Sequence, residues 1–500
     1  MPSTFPRPLG AACLAGALTL AIAAGASALE LTALSTPQGL ERARAATPGD
    51  TLTLTGLALG ADELSSLELR RVQIFTPGAT LFVDIDGENR ALTAPDIAWY
   101  TGRIVGVPGS RAALGVRATG EVRGLISKPG GHWMLGRARG AALSSHVQVR
   151  QIDQMSEVQT PGGHDCGSNE LTLPDGTLPP SALHANLIES LEAKVRDARK
   201  MAKAGGNPTY TARIAVETDI QFLDKFGDDA NAALAYLGDI FAYVTGIFED
   251  EIDTSLAITH SQFWATTDPW TQGNPACALL EFGRYWNDNN GSIDRTIAHF
   301  FSGRNNGGGI AWVGVLCSGA FNYQASLLGC SLTPDNDNYG GGYGYTGDMD
   351  ANFDLDNPSF VWDVYGWNHE VGHNFNSPHT HCYNGVGGSS NPVDTCESGE
   401  CSLGCYCGSE ALPCGTSGGG CGTIMSYCHL RSGGLANISP TFGAGHPWGD
   451  TPDRVPTRMG AHVVSRANSN PGCLDFFQAD LIFGDGFESG NISAWDSEFP

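Results

Sequence analysis

Three histidines and a glutamate crowd into the run His369-Glu370-Val371-Gly372-His373-Asn374-Phe375-Asn376-Ser377-Pro378-His379. On a helix, His369 and His373 are four residues apart and leave the same face one turn apart. Glu370 sits beside the first of them and can reach a metal-bound water without binding the metal. His379 lies beyond the helix and supplies a third ligand if the chain turns sharply there. Three protein ligands leave the fourth position of a tetrahedral zinc (Zn2+) site open to water. Zinc lowers the pKa of that water from about 15.7 to roughly 7, which makes a nucleophile at neutral pH. The competing readings are a helix with surface histidines and a purely structural zinc, but a structural site normally closes with a fourth protein ligand.

The elements that must hold these groups can be read on either side of them. Residues 228–250 carry Ala233, Leu237, Ile240, Phe241, Val244 and Phe248 at helical spacing. Ser255-Leu-Ala-Ile-Thr-His-Ser-Gln-Phe reads as a strand, and residues 277–300 read as a helix. Gly309-Ile-Ala-Trp-Val-Gly-Val-Leu-Cys reads as a strand at a sheet edge, and residues 359–375 as the helix that carries the first two histidines.

A second segment, Cys421-Gly-Thr-Ile-Met-Ser-Tyr-Cys428, has the form of a Met-turn, with Met425 as the hydrophobic floor beneath the metal. The two segments together resemble a metzincin zinc peptidase. The surroundings of the histidine motif are most similar to the reprolysin and adamalysin branch, and Tyr210-Thr-Ala-Arg-Ile-Ala-Val-Glu-Thr-Asp resembles the first strand of such domains. The resemblance covers about residues 209–475. It implies an α+β fold with a metzincin catalytic domain: a twisted mixed sheet, long helices, an active-site helix, and an edge strand that takes extended protein or peptide substrates by adding them to the sheet.

The pattern departs at Asn376, where metzincins carry Gly. That residue must turn the chain out of the helix at positive φ, and Asn is the non-Gly residue that best tolerates this region. Tyr427 lies two residues after Met425. In astacins and serralysins a Tyr there swings on and off the zinc and stabilises the oxyanion; in adamalysins it is usually absent. The alternative for Tyr427 is a packed aromatic in the turn.

Five hundred residues are too many for one ordinary core, so two domains plus tails are expected. Residues 1–28 read as a secretory signal: Arg7, an apolar run over 9–24, and Ala26-Ser27-Ala28 as a cleavage site. That run is short for a bilayer span, and no later segment reads as an integral membrane segment. A secreted, extracellular protein is expected. Residues 1–203 carry 19 basic and 19 acidic side chains, whereas residues 204–500 carry 9 and 34, the whole of the net −25. This excludes nucleic acid and anionic membranes as expected partners.

Of 14 cysteines, Cys13 lies in the signal, Cys166 stands alone, and twelve fall between Cys277 and Cys473. In an exported protein the even number suggests six disulfides. Eight of the twelve crowd between Cys382 and Cys428, where a second zinc on thiolates is the competing reading.

Residues 29–160 read as short strands separated by Gly and Pro, including Thr51-Leu-Thr-Leu-Thr, Gln73-Ile-Phe and Thr80-Leu-Phe-Val-Asp-Ile. The stretch from Tyr100 to Leu114, continuing to Gly124-Leu-Ile, resembles propeptides of adamalysin-like zymogens. Residues 161–183 read as a linker, and 184–203 as a charged helical stretch with a cleavable Arg199-Lys200. Residues 29–203 are therefore expected to be a β-rich prodomain and linker, 204–475 the catalytic domain, and 476–500 a tail that resembles a C-terminal tag of exported bacterial proteins.

Metzincin zymogens often place a Cys-Gly thiolate on the open zinc position, and Cys166-Gly167 is the candidate for such a cysteine switch. The prodomain would then be the inhibitor of its own enzyme. A buried thiol and an intermolecular disulfide are the alternatives. Asp348-Met-Asp-Ala-Asn-Phe-Asp-Leu-Asp-Asn alternates oxygen-bearing side chains as a calcium (Ca2+) loop does. It lacks the Gly and terminal Glu of an EF-hand, so a solvated loop is favoured.

The expected function is a secreted zinc endopeptidase made as an inactive precursor, with His369, His373 and His379 on zinc and Glu370 as general base. Its rivals are a catalytically silent metzincin-fold adhesin and a zinc hydrolase of a non-peptide substrate.

Overall fold

The computed structural model describes residues 27–60, 64–129, 131–137, 146–152, 166, 208–355 and 360–476. The signal up to residue 26, the 161–183 linker apart from Cys166, the 184–203 stretch and the tail beyond residue 476 lie outside the described residues.

Among the described residues, ten strands, a short 3-10 helix (Leu31–Ser35) and one α-helix, α1 (Pro37–Arg44), precede residue 152. The strands are β1 (Ser27–Glu30), β2 (Thr51–Ala58), β3 (Leu64–Val72), β4 (Phe75–Ile85), β5 (Glu88–Ala91), β6 (Ile97–Ile104), β7 (Arg111–Arg117), β8 (Val122–Lys128), β9 (Gly131–Gly136) and β10 (Gln148–Gln151). Eight of them form one sheet in the order β1-β2-β3-β6-β7-β8-β9-β10. The period-2 alternation of a strand splits its side chains between two cores. Ala98, Tyr100, Ala112, Leu114 and Leu135 face the core under α1. Ile97, Trp99, Ala113, Leu125 and Met134 face the other way, into a larger core. Because both faces are covered, β6 to β9 read as nearly continuous buried runs.

The second sheet is built from β11 (Tyr210–Thr218), β12 (Thr254–Trp264), β13 (Ile297–Phe301), β14 (Gly309–Ala311), β17 (Tyr343–Thr346) and β18 (Leu474–Phe476), with a small hairpin of β15 (Phe321–Gln324) and β16 (Asn336–Gly340) beside it. Its path runs β14-β17-β13-β11-β12-β4-β5, with β18 also on β11. The hairpin β4–β5 has thus left the N-terminal sheet: β4 lies parallel to β12, with Thr80 opposite His260. β14 ends the path on the other side and runs antiparallel to β17, whereas the central strands are parallel. The result is a mixed α+β fold with a β-rich N-terminal region, as expected.

Five helices complete this part: α2 (Ile220–Asp224), α3 (Ala230–Ile252), α4 (Pro275–Asn289), α5 (Phe360–Asn374) and α6 (Arg454–Ser469). The Asp229 side chain caps α3 by accepting from the amides of Asn231 and Ala232. Length and composition alone would let α3 cross a membrane, a feature the sequence reading passed over; 83% of that window is buried inside the fold. The helix expected over 277–300 stops at Asn289. Asn289-Asn290-Gly291 breaks it, and the wholly buried run Ile297–Phe301, apolar apart from His299, becomes the parallel strand β13.

All twelve cysteines beyond residue 204 are paired, as Cys277–Cys330, Cys317–Cys473, Cys382–Cys405, Cys396–Cys428, Cys401–Cys407 and Cys414–Cys421. Six disulfides leave no thiolate in the loop for a second zinc. Four of them staple the Gly- and Ser-rich segment from Cys382 to Cys428, which has few apolar side chains to order it. Such a framework is consistent with an extracellular protein.

Candidate metal centre

Helix α5 is locked at both ends. Near its start, the buried Asp363 accepts hydrogen bonds from the hydroxyl of Tyr236 on α3 (2.5 Å) and the amides of Asp350 and Ala351 (2.9 and 2.8 Å). Burial raises its carboxyl to about 7, and these donors oppose the shift. At its end, Asn374 donates to the carbonyls of Trp312 and Tyr343, which fixes α5 against β17.

The chain then leaves the helix at Asn376, whose φ is +77°. The amide of Asn376 donates to the His373 carbonyl and that of Ser377 to the Gly372 carbonyl, closing the C-terminus. Arg458 on α6 holds both oxygens of Asn376. Asn therefore serves where metzincins have Gly, and the turn delivers His379 back to the first two histidines.

The three imidazoles converge through Nε2. His373 Nε2 lies 3.2 Å from His369 Nε2 and 3.1 Å from His379 Nε2. Each Nδ1 faces an oxygen acceptor: the Ile424 carbonyl at 2.8 Å for His369, the Ser377 carbonyl at 2.7 Å for His373, and the Glu400 carboxylate at 2.9 Å for His379. Those bonds place the ring protons on Nδ1 and leave three lone pairs aimed at one another. Burial first, then the charge of neighbouring imidazoles, holds His369 and His373 well below the ordinary imidazole range. Three unprotonated nitrogens at this separation repel unless a cation sits among them. Nitrogen ligands at about 2.0–2.1 Å from a tetrahedral zinc would themselves be about 3.3–3.4 Å apart, so the donor set fits zinc.

The thiol of Cys166 completes the cluster. Its Sγ lies 3.3 Å from His373 Nε2 and 3.4 Å from a Glu370 carboxylate oxygen. Cys166 and the three histidines offer four ligand atoms within 4.8 Å of one another, all from buried residues. Tyr427 holds the cysteine by its backbone: its hydroxyl accepts from the Cys166 amide (2.7 Å) and donates to the Cys166 carbonyl (2.9 Å). Its ring packs on His379, with centroids 4.4 Å apart.

Beneath the imidazoles, Met425 is fully buried, and a Cβ added to Gly372 would lie 2.3 Å from its sulfur. The Met425 carbonyl accepts from the Thr380 amide, so the turn also fixes the segment behind His379. Gly309 on β14 presses on Glu370 from above; a Cβ there would lie 2.4 Å from Oε1 and 2.5 Å from Cγ and Cδ. Gly309→Ala is expected to displace that carboxylate with the circular dichroism spectrum unchanged; if Glu370 acts in a hydrolytic reaction, kcat falls by about 10²-fold, the cost of misplacing a reacting group by an ångström. Steady-state kinetics with wild-type kcat would show that the carboxylate can give way.

Glu400 and its partner His381 escaped the sequence reading. Glu400 accepts from His379 Nδ1 and, at 2.6 Å, from His381 Nε2. Burial alone would raise its carboxyl, but the two imidazoles outweigh it and hold Glu400 far below the ordinary carboxylate range. Glu400 lies 21 residues beyond His379, in the disulfide-stapled loop, where no spacing rule points to it. The calcium reading of 348–357 gains no support. The Asp348 carboxylate accepts from the amides of Asn306, Gly307 and Gly308, and none of the metal-ligating clusters found among the described residues includes this stretch.

A cleft opens beside Glu370 and Tyr427, walled by Trp362, Tyr365, Ile424, Leu435 and Ile438. The model of the family Reprolysin_5, metallo-peptidase family M12, matches residues 208–437, which include every group above except Cys166, Ile438 and Arg458. No curated protein matches the chain. Among solved structures, metalloproteinase-II from Bacteroides fragilis is similar with a TM-score of 0.34 and 9% identity, over 71% of this chain and 88% of that one. A chaperone–substrate complex is similar with a TM-score of 0.23 and 14% identity, over 37% of this chain and 25% of that one.

Proposed function

We propose, from the match of residues 208–437 to the model of metallo-peptidase family M12, that this protein is a secreted, zymogen-type zinc endopeptidase. The observation that carries the reading is the convergence of three imidazole Nε2 atoms beside a buried carboxylate. His369, His373 and His379 would hold the zinc. When bound, zinc supplies Lewis acidity, bringing a water to a pKa of about 7 and polarising a carbonyl.

The remaining work falls to side chains of this chain. Glu370 takes the proton of the attacking water on its carboxylate and returns it to the leaving amine. An extended peptide adds antiparallel to β14, which lies at the end of the sheet and touches Glu370 through Gly309. The apolar wall of the cleft suits an apolar substrate side chain next to the cleaved bond. Once Cys166 has left, the Tyr427 hydroxyl would donate to the developing oxyanion.

In the precursor, Cys166 closes the centre. Its thiolate would take the fourth ligand position and exclude the attacking water, and the Tyr427 hydroxyl is committed to the Cys166 backbone. Export through the 1–28 signal agrees with the disulfide framework.

Hydrolysis of casein by the processed protein tests the reading. Activity should vanish with a chelator and return with added zinc, and sequencing of the fragments should find apolar residues at the new N-termini. Casein left intact under all conditions would point to a silent fold.

Glu400 is proposed to orient His379 and raise its basicity as a ligand. Glu400→Gln is expected to weaken zinc binding by about 10–100-fold, as loss of such carboxylate partners does. Competition with a chromogenic chelator measures this, and unchanged affinity would strip Glu400 of that role.

A further inference from the structure

The N-terminal unit is joined to the catalytic unit far more deeply than an inhibitor that must depart. Helix α3 packs against β6 and β7 on one side and β12 on the other. Contact is at backbone distance: a Cβ on Gly238 would lie 2.4 Å from the Trp99 ring, and one on Gly246 would lie 1.8 Å from Thr101 Oγ1. Val72, Phe75, Leu81, Val83, Trp99 and Met134 share a single apolar core with α3, α5 and Met425.

The polar groups interlock as well. Asp239 of α3 is 6% exposed and is held by Arg117, by Trp99 Nε1 at 3.1 Å and by Arg123 at 3.8 Å, all from the N-terminal unit. Glu251, 1% exposed, pairs with Arg111 at 3.0 Å, and Glu249 pairs with Arg70. Departure of that unit would strip Asp239 of every one of these partners and open an apolar face; it would also bare the β12 edge now covered by β4.

Nothing at the site requires departure. The hairpin β4–β5 lies at the opposite end of the sheet from β14, and among the described residues lining the cleft only Cys166 comes from before residue 208. We infer that the N-terminal unit is a permanent subunit of the active enzyme: cleavage in the connector frees the Cys166 segment, while residues 29–152 stay bound as the other half of the fold. The inference rests on the zymogen reading only in supposing that the chain is cut.

The test starts from the folded full-length chain, with a site-specific protease sequence inserted between Arg199 and Lys200. After cutting, gel filtration without denaturant should return both fragments at the elution volume of the intact chain, separable only in urea or guanidinium. Casein hydrolysis is assayed on the same fractions. A catalytic fragment that elutes alone and keeps its circular dichroism spectrum overturns the inference, whether or not it is active. Co-elution upholds it even if casein is not cut, an outcome that would count against the peptidase reading alone. Arg117→Ala with Arg70→Ala provides a second reading: cut after folding, this variant should release its fragments at a lower urea concentration than the wild type. Release at the same concentration would show that these ion pairs do not hold the unit and would count against the inference.

Discussion

Glu370→Gln is expected to bind zinc as the wild type does and to lose about 10²–10⁴-fold in kcat, the range of a general base. Glu370 follows His369 on α5 without contributing an atom to the four-ligand cluster. Its carboxylate lies against β14 on one side and 3.4 Å from the Cys166 sulfur on the other, where an attacking water would stand once the thiol withdraws. Gln preserves the shape pressed against Gly309 but cannot take a proton. The loss should therefore fall on kcat, with KM and metal content little changed. A variant that keeps substantial turnover would remove Glu370 from the chemistry. One that loses zinc would show its role to be structural.

Cys166→Ser should make the uncut precursor leaky. The thiol is buried, and its residue is held by two hydrogen bonds to Tyr427, so the substitution leaves the backbone docked. What changes is the ligand: zinc prefers thiolate to hydroxyl. A preference of only about 1.4 kcal/mol already corresponds to about tenfold in the open fraction. Casein hydrolysis by a precursor whose connector has been made uncleavable should rise by that factor or more. An uncut Ser variant as silent as the parent would point instead to steric blockage by the segment around residue 166.

The centre was legible in the sequence because metal geometry is written in short spacings. The separation of His369 and His373 is a property of any helix, and Asn376 marks the left-handed residue that returns His379. Met425 and Tyr427 followed from their place in one turn. The number of disulfides followed from parity, but their pairing did not.

What stayed hidden depends on contacts far apart in the chain. Thr80 and His260 are 180 residues apart, and nothing in either strand announces that β4 will abandon its own sheet for β12. Glu400 reaches His379 only because disulfides fold the loop back. Gly309 looked like a strand residue, and its importance is the space it leaves for Glu370. The strand β13 was mistaken for helix because a short, fully buried run has no amphipathic period to read.

X-ray absorption at the zinc edge tests the central claim most directly, measured on the secreted precursor and again after activation. The precursor should show three nitrogen ligands and one sulfur at about 2.3 Å, and activation should replace the sulfur with oxygen at about 2.0–2.2 Å. A precursor that holds no zinc, or holds it on sulfur alone, would contradict the account.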